Sequence, residues 1–484
     1  MRLNEYAKYD ATGLASLVRA GEVTPVELTR LARQAHDEVN PLINAVIEFY
    51  EDAETVAGED AGPFNGVPFL RKDSGASEAG RLQENGSRLY KGHRSDTDSF
   101  FFRRARDAGL RTIGRTALPE FGQGLSESIL NGITSNPWNL ERSAGGSSAG
   151  AAAAVAAGIV PIAHGSDGGG SIRFPASWCG LIGLNPSRGR ISGGPNNQDR
   201  WLGLSRTFVL CRTVRDMAVA LDVFSGPHPG DPFIIVQPNR PYVEELSQPS
   251  GTLRVGVARK TWGTLDPTPE VLHAVESVAS LLEEMGHVLI DIAPPFEAEE
   301  LTKIMLGVSD LGASSLEIAA RALGRTISAD TLEPVNLKLY ERGQGQSLSA
   351  SEDLNEMIRR VRLRVGEAID SYDILLTPTA PIVALQNRGN YWTESKYSLG
   401  NPTISAEQYM QAGYELGEYT GVFNITGQPA VSLPLAQTVD GLPIGIQIAG
   451  RFGDETTLVR IARDLEEAIP WAKRRPRVFA GSAE

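Results

Sequence analysis

Helical and strand-like segments alternate along this 484-residue chain, and the alternation restricts its fold more than any single motif does. "TPVELTRLARQAHDEV" opens with Thr24 as N-cap, Pro25 at the first helical position and Glu27 at N3, the pattern of a capping box. "DTDSFFFRRARDAGLRTIGRT" reads as a helix stopped at Gly109 and then a short strand. "TVRDMAVALDVFSG" is a helix ended by Gly226, and "TLRVGVA" (252–258) is a strand. "TPEVLHAVESVASLLEEMGHVLIDI" gives a helix, Gly286 and another strand, and "YDILLTPTAP" (372–381) a buried strand. "PAVSLPLAQTVDGLPIGIQIAG" is a strand pair turning at Asp440-Gly441. Such alternation builds α/β layers, not a helical bundle or a β-sandwich.

No internal repeat or low-complexity linker interrupts the pattern. The expectation is one domain, 1–484, with a mostly helical and loop region at about 295–412 lining the substrate. Inside it, the polar loop 384–405 carries Tyr391, Trp392 and Tyr397 and reads as a pocket wall, as do roughly 120–135 and 300–345. A hydrophobic fraction of 41% and a charged fraction of 22% are those of an ordinary globular protein. The formal net charge of −13 repels phosphate backbones, so no nucleic-acid partner is expected. Lys473, Arg474, Arg475 and Arg477 read as a solvated tail. Two cysteines, Cys179 and Cys211, imply no disulfide framework and fit a cytoplasmic compartment. The N-terminus lacks the apolar core of a signal peptide. The longest weakly apolar run, "GAAAAVAAGIVPIA" (150–163), falls short of a membrane span and suits a tightly packed buried helix, so no membrane partner is expected.

Three stretches carry chemistry. In "GSDGGGSIRFP" (165–175), three glycines lead into Ser171. Backbone N–H groups converging at such a turn form a concave donor cluster suited to an anion. An oxyanion formed when Ser171 attacks a carbonyl would sit among the N–H groups of Gly168, Gly169, Gly170 and Ser171. A phosphate loop or a plain turn is the alternative, although no Lys-Ser/Thr pair follows at Walker spacing. A serine nucleophile needs a base. Of the six histidines (His36, His93, His164, His228, His273, His287) only His164 lies nearby in sequence, and most read as satisfied or solvated. The second stretch, "ERSAGGSSAGAAAAVAAG" (141–158), places Ser147 and Ser148 at the start of an Ala-rich helix. Ser148 satisfies the G-x-S-x-G elbow, but that motif needs a strand just before it, and "NLERSAGG", with two charges, an Asn and no β-branched residue, is not expected to be one. In the third, "GVPFLRKDSGA" (66–76), Lys72 ends an apolar arrival. Most lysines are solvated; as a base Lys72 must be neutral, its pKa brought from about 10.4 towards 7, which asks about 4–5 kcal/mol of burial and local field. Arg71 is the poorer base.

Taken in order, "GVPFLRKD", "SAGGSSAGAAAAVAAG" and "GSDGGGSIRFPASWCGLIGLNPSRGRIS", with the C-terminal "FNITGQPAVSLPL", resemble the amidase signature family over nearly the whole chain. The resemblance implies a large twisted mixed β-sheet flanked by helices on both faces. It implies Ser171 as nucleophile, Ser147, preceded by a cis peptide bond, as the bridging serine, and Lys72 as base, with Asp167 and Arg173 holding the glycine loop. The implied activity is hydrolysis of a small aliphatic, cyclic or aryl amide through an acyl-enzyme, with no cofactor and no metal. A carbamate fits the same machinery. The amidase subunit of a tRNA-dependent amidotransferase shares the triad, but the acidic balance argues against it; a non-enzymatic binding protein would make Ser171 dispensable. A homodimer stays open, since oligomeric state is not readable from these residues. Two departures stand out: Ala149 replaces a glycine common in the family, and Gly168 sits where many members carry Thr or Ile, which is expected to leave room for a wider substrate.

Overall fold

The apolar runs read from the sequence become strands of one large sheet. The structure, a computed structural model, describes residues 1–482 except 57, 59, 60, 200 and 390. The side chains of Tyr391 and Trp392, expected in a pocket wall, lie outside the described residues. Eleven strands make up the sheet: Val46–Phe49 (β1), Pro68–Lys72 (β2), Arg111–Thr116 (β3), Ile162–Asp167 (β4), Ile182–Asn185 (β5), Arg206–Cys211 (β6), Arg254–Val257 (β7), Val288–Asp291 (β8), Ile374–Pro378 (β9), Ala430–Gln437 (β10) and Pro443–Gly450 (β11). Their spatial order is β1-β3-β2-β4-β6-β5-β10-β11-β9-β7-β8. β3, β2 and β4 run parallel, as do β9, β7 and β8, while the central strands pair antiparallel. The sheet is therefore mixed, as expected.

The helices that position the site are Pro25–Ile43 (α1), Ala149–Ala156 (α2), Arg173–Cys179 (α3), Ala298–Ala322 (α4), Pro334–Gly343 (α5), Leu348–Ile369 (α6), Ala406–Thr426 (α7) and Glu455–Ala468 (α8). α1 starts on the expected capping box: Glu27 N donates to Thr24 Oγ1 at 3.2 Å and Thr24 N to Glu27 Oε2 at 2.8 Å. Helices cover both faces of the sheet. On β11, Gly445 faces Ser177 of α3, whereas Gly450, of opposite parity along the strand, faces Leu458 of α8. Every residue of the Ala-rich α2 is buried, because side chains this small let the helix lie close against the sheet.

Among the described residues four hydrophobic clusters result, of which two are large. The larger surrounds the sheet. The second joins Ile304, Met305, Val361, Met410 and Phe423 of α4, α6 and α7, so the helical region expected to line the substrate has a core of its own. Among the described residues no helix is long and apolar enough to cross a membrane.

One local expectation fails. Asn139–Ser143, in "NLERSAGG", is a strand, paired with Ser135–Asn136 outside the main sheet. Its other edge is covered by the chain at 385–387, with Ser143 N donating to Leu385 O (2.7 Å) and Asn387 N to Glu141 O (2.9 Å). Tertiary pairing overrides the poor β-propensity of its charged residues.

Candidate active site

β2 and β4 are parallel neighbours, with Phe69 opposite Ile162 and Leu70 opposite Ala163, so their C-terminal ends deliver Lys72 and Ser166 side by side. The carboxyl ends of parallel strands are where α/β sheets place their ligands. Lys72 is 0% exposed. Its Nζ lies 2.8 Å from Ser147 Oγ, 3.0 Å from Ser148 Oγ and 3.0 Å from Ser166 Oγ. The two serines of the pair stand at the start of α2, Ser148 being its N-cap, and the Gly146–Ser147 peptide bond is cis. Gly146 admits no side chain, since a Cβ there would meet Leu125 O at 2.1 Å.

The elbow reading of Ser148 fails on burial, not on the missing strand. Ser148 is fully buried and its Oγ donates to Ser166 O at 3.2 Å, so it does not stand at a turn's tip. The histidine route closes too. Lys72 N donates to His164 Nδ1 (3.2 Å), which places the ring proton on Nε2, 2.7 Å from Thr207 Oγ1. Burial above all, with the Arg71 charge adding to it, holds this imidazole well below its usual value, so it stays neutral.

The glycine run leaves β4 at Asp167 and enters α3. Asp167 and Arg173, both fully buried, hold it: Arg173 Nε and Nη2 donate to the carboxylate at 3.0 and 2.9 Å. Asn424 Nδ2 of α7 donates to Asp167 Oδ1 at 2.9 Å, and Thr420 Oγ1 to Gly169 O at 2.7 Å. Burial alone would raise the Asp167 carboxyl, but the Arg173 charge and these hydrogen bonds hold it well below the usual carboxylate range. One expected donor is lost here. Gly170 N–H already points at Asp167 Oδ1, 2.7 Å away, so of the four N–H groups read from the sequence those of Gly168, Gly169 and Ser171 remain for an oxyanion.

Ser147, Ser171 and Gly168–Gly170 line one cleft of about 1040 Å³, its open mouth included. Ser171 is half-buried there, and its carbonyl accepts from Ser148 N at 3.2 Å. Lys72 and Ser147 are thus in direct contact, and Ser171 shares the cleft with Ser147. The walls come from the expected stretches, with Phe121–Leu125, Ser309, Tyr397, Tyr409 and Met410, and also from places sequence reasoning missed: Phe174, Trp201, Ser205 and Tyr414. Ser166 was missed too, although the parallel register beside Lys72 is a signal that could have found it. The wider room expected at Gly168 is filled: a Cβ there would stand 3.2 Å from two ring atoms of Trp201.

Behind the Phe121–Leu125 wall sit three buried carboxyls. Glu120 accepts from Ser87 Oγ (2.6 Å), Glu333 N (2.9 Å) and Asn336 Nδ2 (2.8 Å), and Glu333 accepts from Ile129 N (2.8 Å). Burial, with the nearby Glu120 and Glu127 charges, pushes Glu333 up to about 9, and burial pushes Glu127 up to about 7.

Compared with known proteins, the chain matches the Amidase family over residues 27–459. It is 36% identical over 483 residues to the 6-aminohexanoate-cyclic-dimer hydrolase of Paenarthrobacter ureafaciens, covering 97% of each. The chain belongs to the amidase signature family. This amidase superposes on the structure of 6-aminohexanoate cyclic dimer hydrolase complexed with substrate at a TM-score of 0.88 and 35% identity, covering 98% of this chain and 99% of that one. A bacterial aryl acylamidase of the same family shares its fold, at a TM-score of 0.84 and 24% identity over 96% of this chain and 97% of the other. The amidase is a hydrolase acting on carbon–nitrogen bonds.

Proposed function

We propose that this amidase hydrolyses small uncharged amides through an acyl-enzyme on Ser171, with Ser147 as proton relay and Lys72 as base. The observation that carries the reading is the 2.8 Å contact of Lys72 Nζ with Ser147 Oγ beside a cleft lined by Ser171 and the glycine run. The buried amine, in its neutral form, takes the proton of Ser147 as Ser147 takes that of Ser171. Ser171 Oγ bonds to the carbonyl carbon, and the N–H groups of Gly168, Gly169 and Ser171 receive the oxyanion. The same two groups return the proton to the departing nitrogen as the C–N bond breaks. Water then releases the acid by the reverse relay.

Among the described residues no side chain lining the cleft carries a charge. A charged substrate would lose its hydration there without a partner, so the reading favours neutral aliphatic, cyclic or aryl amides, including cyclic amides of the kind the Paenarthrobacter relative is named for. Carbamates are equally neutral and would pass through a carbonate-like acyl intermediate. Cys179 and Cys211, free and buried, fit a cytoplasmic setting.

The test is the purified chain, without ATP or partner proteins, against amides, esters and carbamates. Ser171→Ala is expected to lower kcat by at least about 10⁴-fold with its melting temperature kept. Lys72→Ala should lower it by about 10²–10⁴-fold and remove the acidic limb of the pH–rate profile, where the amine gains its proton. Full turnover by Ser171→Ala would overturn the reading.

A further inference from the structure

Trp201 occupies an unusual position. Its φ of 55°, followed by 55° at Leu202, puts two consecutive non-glycine residues in the left-handed region. Backbone held in that region tends to cluster at functional sites. The indole edge packs on Gly168, where any Cβ would stand 3.2 Å from its Cε3 and Cζ3 atoms. The ring also borders three spaces. It lines the cleft at Ser171, a groove with Tyr90 and Leu311, and a second groove with Leu316, Leu339 and Tyr340. Phe121, Gln123 and Ser309 are shared by the cleft and the last of these. The first groove lies between the chain at 83–90 and α4, the second also reaches α5, and among the described residues neither is lined by a charged side chain.

We propose that Trp201 is a specificity-determining partition between an inner chamber at Ser171 and an outer uncharged groove of mixed polar and apolar lining, whose apolar side is made by Tyr90, Leu311 and Leu316. Substrates whose apolar group ends at the indole fit the chamber alone. Uncharged amides with a long or bulky apolar group must thread past the ring, and then bury that group against Tyr90, Leu311 and Leu316. The small residue at 168 and the large one at 201 form a matched pair: any side chain at 168 would press on the indole and require it to shift. This inference rests on the reading of Ser171 as nucleophile.

The experiment measures covalent attachment of alkyl fluorophosphonates to the full chain. Ser171 Oγ forms the O–P bond, fluoride leaves with the P–F bond, and the serine proton passes to the base. Ethyl and dodecyl probes are compared by mass spectrometry in wild type, Trp201→Ala, Trp201→Phe and Ser171→Ala. The ratio of dodecyl to ethyl labelling rates is expected to rise about tenfold in Trp201→Ala, the scale on which apolar pockets discriminate, and by less in Trp201→Phe. Trp201→Phe keeps a ring and guards against loss of folding. An unchanged ratio in both folded variants overturns the partition while leaving the nucleophile in place. No labelling of wild type, or labelling that survives Ser171→Ala, overturns the nucleophile and this inference with it.

Discussion

Any side chain at Gly170 would meet Thr420 Oγ1 at 2.4 Å, and that same hydroxyl donates to Gly169 O at 2.7 Å. Thr420 therefore both closes the space behind the glycine run and fixes the orientation of its peptide groups. An oxyanion hole stabilises charge only if its donors are already aimed. Thr420→Val keeps the volume and removes the hydrogen bond, leaving the partly buried Gly169 carbonyl without that donor. We expect kcat to fall about tenfold with KM nearly unchanged, and Thr420→Ser to restore it; steady-state kinetics of the two variants check this. The glycine run itself was legible in the sequence, since bare backbone before a serine has few uses. The diversion of Gly170 N–H to Asp167 was not, because it follows from a carboxylate oriented by Arg173 and by Asn424, 257 positions further along the chain. The wall residue Trp201 was equally hidden: nothing local in "NNQDRWLG" announces a left-handed tryptophan.

At the scale of elements, α7 joins the helical cluster to the site, carrying Phe423 and Ile425 in that cluster, Tyr409 and Met410 on the cleft and Thr420 and Asn424 against the glycine loop. Its last carbonyls lack intrahelical partners and sit at the negative end of the helix dipole. Three guanidinium groups meet them. Arg188 Nη2 donates to Asn424 O (2.9 Å) and Ile425 O (2.8 Å), Arg206 Nη2 to Asn424 O (2.9 Å), and Arg362 Nε to Ile425 O (2.9 Å). Burial, with Arg362 nearby, lowers Arg188 to about 9, so it is still charged at neutral pH. Arg188→Met should reduce unfolding free energy by about 2–3 kcal/mol, read from a denaturant midpoint, because charge-assisted bonds to buried carbonyls are lost. Helix starts and strand pairs such as Thr24-Pro25-Glu27 and Asp440-Gly441 were readable because their signals lie within a few residues. The strand Asn139–Ser143 was not, because its partners at 135–136 and 385–387 supply what its own residues lack.

For the whole molecule, the carboxyls of Glu120 and Glu333 tie the wall of the cleft to the start of α5, and burial raises both of them, as it raises nearby Glu127. Each folded pKa lies above the ordinary value of 4.5. Their contribution to stability is therefore complete below about pH 4.5 and is lost as pH rises through about 7 for Glu127 and about 9 for Glu333. Glu333→Gln, neutral at every pH, should melt at a temperature that falls less between pH 7 and 9 than that of wild type, measured by calorimetry across that range. The α/β class was legible from alternation alone, whereas the strand order, which sets β4 between β2 and β6, depends on pairings no local window contains. That order has a consequence for how the reaction can be lost. Along β2, Arg71 points away from the serines, its Nε donating to Tyr50 Oη at 3.0 Å, while Lys72 points towards them. A frame slip of one position would exchange the two, because side-chain direction on a strand has a parity of two. The serines would then face a guanidinium, which does not surrender its proton, in a protein of almost unaltered composition and shape.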